Sequence, residues 1–159
     1  MSSKPAVKRS IVHATFAIER VYNHAPSKVF DAFASREAKM KWFGDPDSVS
    51  NKKYSLDFRV GGREHAEGDV PDHGVYTYDV VYQDIVPNNR IVSTYEMTIG
   101  GNRISVSVAT VEFRPEGKGT RLVLTEQGAF LDGYDKPAAR EEGTKQLLEA
   151  LAKALDKAA

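Results

Sequence analysis

The chain has 159 residues, 41% apolar and 28% charged, with seven Phe, seven Tyr and one Trp, which is enough for one well-filled core and too little for two. Its 22 basic and 22 acidic residues cancel, which argues against an extended nucleic-acid footprint or a polybasic membrane anchor. It contains no Cys, excluding disulfides and thiolate chemistry, and no run approaches the ~20 apolar residues of a helical membrane span.

Residues 1–12 read as a flexible tail and 13–159 as a single domain. Lys4, Lys8 and Arg9 before the uncharged run Ser10 to Ile18 imitate a signal peptide, but His13 interrupts the run and Glu19 and Arg20 follow it without a cleavage pattern. The expected setting is the cytoplasm. Thr15 to Tyr22 alternates as a strand, with Phe16, Ile18 and Tyr22 inward. Pro26 opens a short helix presenting Val29, Phe30 and Phe33. Ser35 caps a second helix that carries Met40, Trp42 and Phe43 and ends at Gly44 and Pro46.

From Tyr54 to Gln127 the pattern is an antiparallel meander of six strands. Tyr54, Leu56 and Phe58 alternate before the Gly61-Gly62 turn; Arg63 to about Asp69 follows; Tyr76, Tyr78, Val80 and Tyr82 share one face of the next strand. Ile91, Tyr95, Met97 and Ile99 are in phase on the strand after that. Within Arg103 to Arg114, Ile104, Val106 and Val108 are out of register with Val111 and Phe113, which predicts a β-bulge near Ala109. Arg121 to Glu126 closes the sheet, and Glu126 to Asp135 reads as a long loop. This loop would either gate a cavity or staple helix to sheet through Phe130 and Leu131. Asp135 and Pro137 then start a helix of about 20 residues, with Thr144, Leu148, Leu151 and Leu155 on its apolar stripe.

Seven antiparallel strands with one long helix form an α+β domain in which the sheet curls around the helix to bury its stripe. A gap between the two is where function is sought. The blocks Arg20-Val21-Tyr22, Val29 to Phe33, Trp42-Phe43-Gly44, Asp57 to Arg63, Ile85 to Val92, Val111-Glu112-Phe113 and Gly119 to Leu122 occur in one order, followed by Gly143, Leu148, Leu151 and Leu155. In that order and spacing, over Phe16 to Leu155, the chain resembles the family of the activator of heat-shock-protein-90 ATPase, of the C-terminal-domain type. That family lies in the SRPBCC (START-like, helix-grip) superfamily. The resemblance implies the helix-grip fold: a curved seven-stranded sheet wrapped around the C-terminal helix, two short helices between strands 1 and 2, and a cavity under the long helix. Where the family usually carries Trp after Gly143, this chain has Thr144, which would leave room and a hydroxyl beside the cavity.

Candidate ligand contacts are Trp42, Phe43, Phe58, Tyr76, Tyr78, Tyr95, Met97, Phe113, Thr144, Leu148 and Arg20. Glu126 is the candidate acid or base, with Arg20 as its expected partner. His65 and His73 stand near Glu67 and Asp69 without metal-ligand spacing, and no P-loop, dinucleotide fingerprint or nucleophile elbow occurs. His13 and His24 read as surface residues.

These features lead to a non-catalytic binding protein for a hydrophobic, aromatic or lipid-like molecule, with no cofactor, metal, nucleic acid or membrane insertion. A cyclase-, dehydratase- or hydrolase-type enzyme acting in the same cavity is the first alternative. A chaperone ATPase-stimulating module is the second. A homodimer is compatible with the sequence, which carries no interface signal.

Overall fold

The computed structural model describes residues 8–44 and 51–158. β1 (Ile11–Tyr22) leads to two short helices, α1 (Pro26–Asp31) and α2 (Arg36–Lys39). Then come β2 (Asn51–Leu56), β3 (Arg63–Val70), β4 (Gly74–Val86), β5 (Arg90–Ile99), β6 (Asn102–Glu116) and β7 (Gly119–Leu131), and finally α3 (Pro137–Lys157). All seven strands form one antiparallel sheet in the order β1-β7-β6-β5-β4-β3-β2. This is the α+β helix-grip architecture the sequence leads one to expect. No helix among the described residues is long and apolar enough to cross a membrane.

Local chemistry accounts for the helix boundaries. Pro26 and Pro137 occupy first-turn positions, where the missing N–H is no loss. The Ser35 hydroxyl accepts from the Ala38 amide at 3.1 Å to start α2. Met40, Trp42 and Phe43 lie just beyond α2, where the Phe43 amide still bonds the Lys39 carbonyl at 2.8 Å. Gly44, at φ +85°, ends that turn; Pro46, read as part of the same stop, lies outside the described residues.

The core lies between the concave face and α3. Leu148, Leu151 and Leu155 are at most 4% exposed, and the Tyr22 hydroxyl donates to the Leu148 carbonyl, fastening β1 to the helix. Val29, Phe30 and Phe33 from α1 and its C-terminal turn close one end of the trough. Phe30 and Phe33 each meet Phe113 edge-on at 5.4 Å.

Three sequence expectations are corrected. β1 starts at Ile11, paired with Leu131, so the strand reaches into the segment read as a tail. The stretch after Glu126 is strand rather than loop: β7 continues to Leu131 against β1, Phe130 is buried, and no gate forms there. Its ring instead lies under the Arg140 guanidinium at 5.3 Å, so it does join sheet to helix. The irregularity in β6 falls at Ile104, between the pairs Met97–Ser105 and Thr98–Arg103, not at Ala109. Ser105, Ser107, Ala109, Val111 and Phe113 then face inward together while Val106 is turned to solvent. Two inward serines beside outward valines invert the apolar signal, and the reason lies in the cavity.

Candidate functional site

Under α3 the side chains leave a cavity of about 440 Å³, room for roughly fifteen waters at ~30 Å³ each and within the usual range for small-molecule sites. The sheet contributes Tyr76, Tyr78 and Tyr82 from β4, Ile91, Ser93, Tyr95 and Met97 from β5, and Ala109 and Val111 from β6. Trp42, Phe43 and Gly44 form a side wall, and Ala139, Gly143, Thr144, Leu147 and Leu148 of α3 form the roof. Ala139 and Gly143 also reach solvent, which places the mouth beside the first half of α3. A ladder of rings runs through the wall: Trp42 to Phe43 at 5.9 Å, Phe43 to Tyr78 at 5.2 Å and Tyr78 to Tyr95 at 5.0 Å.

Two buried polar clusters are set into this apolar lining. In the first, Glu126 of β7 accepts from the Tyr95 hydroxyl (2.6 Å), the Ser107 hydroxyl (3.1 Å) and Arg140 of α3 (3.3 Å). Arg140 also donates to Tyr95 (2.9 Å), Ser105 (2.8 Å) and Asp135 (2.9 Å), and its guanidinium lies over the Tyr95 ring. This cluster is why Ser105 and Ser107 point inward. In the second, Glu64 of β3 accepts from Lys39 Nζ (2.6 Å), the Tyr82 hydroxyl (2.5 Å) and the Tyr54 hydroxyl (2.7 Å). Lys39 Nζ also lies 4.7 Å from the centre of the Phe43 ring.

Burial, the largest effect, pushes Tyr95, Tyr82 and Tyr54 above the ordinary phenol range, so these hydroxyls stay protonated and donate. For Arg140 burial opposes the charge, yet the Tyr95, Glu126 and Asp135 partners outweigh it and raise its pKa. No fully buried side-chain nitrogen or oxygen among the described residues lacks a hydrogen-bond partner.

Of the sequence-predicted positions, Trp42, Phe43, Tyr76, Tyr78, Tyr95, Met97, Thr144, Leu148 and Glu126 line the cavity. Phe58, Phe113 and Arg20 do not. Phe58 packs on Phe30 and Tyr82, and Phe113 on the α1 aromatics, because α1 plugs that end of the trough. Arg20 pairs with Glu149 at 3.5 Å near the sheet edge, so the expected Arg20–Glu126 pair is absent and Arg140 takes its place. The Thr144 hydroxyl donates to the Arg140 carbonyl at 2.8 Å.

Sequence reasoning missed Arg140, Glu64, Lys39 and Ser93. Arg140 was legible, because it precedes Thr144 and Leu148 by one and two i+4 steps on the buried stripe. Glu64 shares its strand face with the buried Ala66, opposite Arg63, His65, Glu67 and Asp69.

Outside the cavity, His24 is tucked against α3, its ring 3.0 Å from Asp156, rather than lying free on the surface. On β3 the His65 ring faces Asp79 through Nδ1 (2.5 Å) and Glu67 through Nε2 (2.8 Å). Contacts to carboxylates through both nitrogens suit an imidazolium that donates, whereas a metal needs a free ring lone pair. Among the described residues no group of three or more acidic or histidine side chains is arranged to hold a metal ion.

The hydrogen bond to Asp79, foremost, holds the His65 pKa above its ordinary value. A group raised on folding contributes stability that is complete below about pH 6.5 and lost as pH climbs through the higher folded value. Melting temperature is therefore expected to fall slightly above neutral pH, and His65→Gln is expected to flatten that slope. An unchanged slope in the variant would contradict the assignment.

The model of the family described as Activator of Hsp90 ATPase homolog 1-like protein matches residues 23–156. The chain belongs to this family. Activator of Hsp90 ATPase homolog 1-like proteins are part of the SRPBCC helix-grip superfamily, in agreement with the fold. The chain is similar to the Mll3558 protein of Rhizobium loti, at 48% identity over 91% of this chain and 99% of that one, with a TM-score of 0.85. It is similar to a Rhizobium leguminosarum protein at 44% identity over 94% and 99% of the two chains, with a TM-score of 0.89. An AHSA1-like protein from Aeromonas hydrophila shares the fold at 16% identity, with 91% and 94% coverage and a TM-score of 0.67. A search of curated proteins gives no match.

Proposed function

We propose that this family member binds a small, largely apolar molecule in the cavity between the sheet and α3. The observation that carries the reading is a hollow of about 440 Å³ walled by a ladder of aromatic rings and left unfilled by Thr144 and Gly143. Desolvation supplies the affinity, at ~25 cal/mol per Å² of apolar surface removed from water. Tyr76, Tyr78, Tyr95, Trp42, Phe43, Met97, Thr144 and Leu148 are the contact residues.

The arrangement favours holding over turnover. Each oxygen of Glu126 already accepts from the protein, and an acid or base would first have to abandon Tyr95, Ser107 or Arg140. The buried charges serve to shape the walls. Stimulation of a chaperone ATPase, which the family description suggests, is not expected from the cavity and is checked by an ATPase assay at saturating protein.

Native mass spectrometry of freshly purified protein, followed by displacement of a neutral fluorescent dye with sterols, fatty acids and aromatic compounds, tests the proposal. A discrete adduct or saturable displacement by a ring compound is expected. No adduct and no displacement across the panel would refute it.

A further inference from the structure

Almost every polar atom around the cavity is committed. Glu64, Glu126, Arg140, Tyr82, Tyr95 and Thr144 all bond within the protein. Two hydroxyls are exceptions among the described residues. Ser93 lies on β5 between Ile91 and Tyr95, its residue is 8% exposed, and its side chain makes no hydrogen bond. Tyr78 makes ring contacts with Phe43 and Tyr95 and lies in the field of Glu64, but its hydroxyl makes no hydrogen bond. Since no fully buried oxygen lacks a partner, both hydroxyls face the open volume. A guest that covers these hydroxyls without bonding them strips them of water at a cost in free energy, so a guest carrying an oxygen to meet each is favoured.

The charges point the same way. The cavity wall carries two cations, Lys39 and Arg140, and three carboxylates, Glu64, Glu126 and Asp135. Lys39 is matched by Glu64 at 2.6 Å, and Arg140 by Glu126 at 3.3 Å and Asp135 at 2.9 Å. No uncompensated cation remains, and the formal sum is one negative charge. An anionic guest would lose its hydration without gaining a counter-charge.

We infer that the guest is an uncharged ring compound bearing hydroxyl or carbonyl oxygens, held by hydrogen bonds from Ser93 and Tyr78, and that carboxylates, fatty-acid anions included, are rejected. The inference deepens the cavity-binding reading and rests on it. Ser93 stands opposite Tyr82, and Tyr78 lies four residues along β4, about 13 Å away at the backbone. The two side chains therefore leave the sheet at separate points along the cavity wall. The Tyr78 ring packs at a tilt within the aromatic ladder while its hydroxyl reads the guest.

Three probes of similar shape separate the contributions: naphthalene, naphthalene-2,6-diol and 2-naphthoate, titrated by calorimetry into wild type, Ser93→Ala and Tyr78→Phe. Wild type is expected to bind the diol about three- to tenfold more tightly than naphthalene, and 2-naphthoate at least about tenfold more weakly than the diol. Each variant is expected to lose about three- to tenfold for the diol and to keep naphthalene affinity within about twofold, which reports an intact cavity. Binding of 2-naphthoate as tight as that of the diol, or diol affinity unchanged in both variants, would overturn the inference while leaving cavity binding standing. Failure of all three probes to bind wild type would overturn both.

Discussion

In Gly143→Phe, binding in the cavity is lost while the fold survives. Gly143 belongs to α3, lines the cavity and is exposed at its mouth, and an ideal Cβ placed there meets nothing within 4 Å. A helical side chain leans over the turn N-terminal to its own Cα, here towards Ala139 and Arg140, which are themselves part of the roof. The added ring therefore fills the opening that a guest needs. Phe is also the better helix former, so the substitution gives back a few tenths of a kcal/mol. The control is Gly143→Ala, which is expected to stabilise the protein by about 0.8–1 kcal/mol, roughly 2–4 °C in melting temperature, with binding retained. Affinity for a neutral aromatic probe is expected to fall at least tenfold in the Phe variant. Unchanged affinity there would mean that the mouth lies elsewhere.

The second large effect is on stability. Arg140→Met removes the cation between Glu126 and Asp135 and leaves Glu126, 3% exposed, with a buried charge held only by Tyr95 and Ser107. Breaking a buried pair from one side costs about 3–5 kcal/mol, because the remaining charge is neither solvated nor matched. For a chain of this length that is a fall of roughly 6–20 °C in melting temperature. Combining Arg140→Met with Glu126→Gln is expected to recover much of the loss, since the orphaned charge goes as well. Thermal denaturation of the two variants checks both statements. A loss under about 1 kcal/mol in Arg140→Met would show that the network is decoration rather than a fastening of α3 to the sheet.

Much of this architecture could be read from periodicity. The alternation of Tyr76, Tyr78, Val80 and Tyr82, and the Leu148-Leu151-Leu155 stripe, each bury one face, and burial is what hydrophobic patterns encode. The same logic failed where polar residues face inward. Ser105 and Ser107 were hidden because Val106 beside them is the outward residue, and the bulge at Ile104 that sets this phase leaves no apolar signature. The spacing of Arg140 to Thr144 and Leu148 put it on the stripe, but nothing in that spacing names Glu126, fourteen residues earlier, as its partner. Arg20 was in phase with Phe16 and Ile18, and phase alone could not tell that the edge of the sheet lets its side chain reach Glu149. Strand extension after Glu126 was missed because Gly128 and Ala129 look like loop residues; pairing with β1 overrides that preference.

Trp42, the only tryptophan in the chain, lies in the cavity wall and offers the most direct test of the central claim, that the hollow under α3 admits an uncharged guest. The measurement is energy transfer from Trp42 to N-phenyl-1-naphthylamine, a neutral dye that absorbs tryptophan emission, titrated into wild type and Gly143→Phe. Saturable transfer at one dye per chain, displaced by naphthalene-2,6-diol and absent from the variant, is the predicted result. No saturable transfer in wild type, or equal transfer in both proteins, would contradict it.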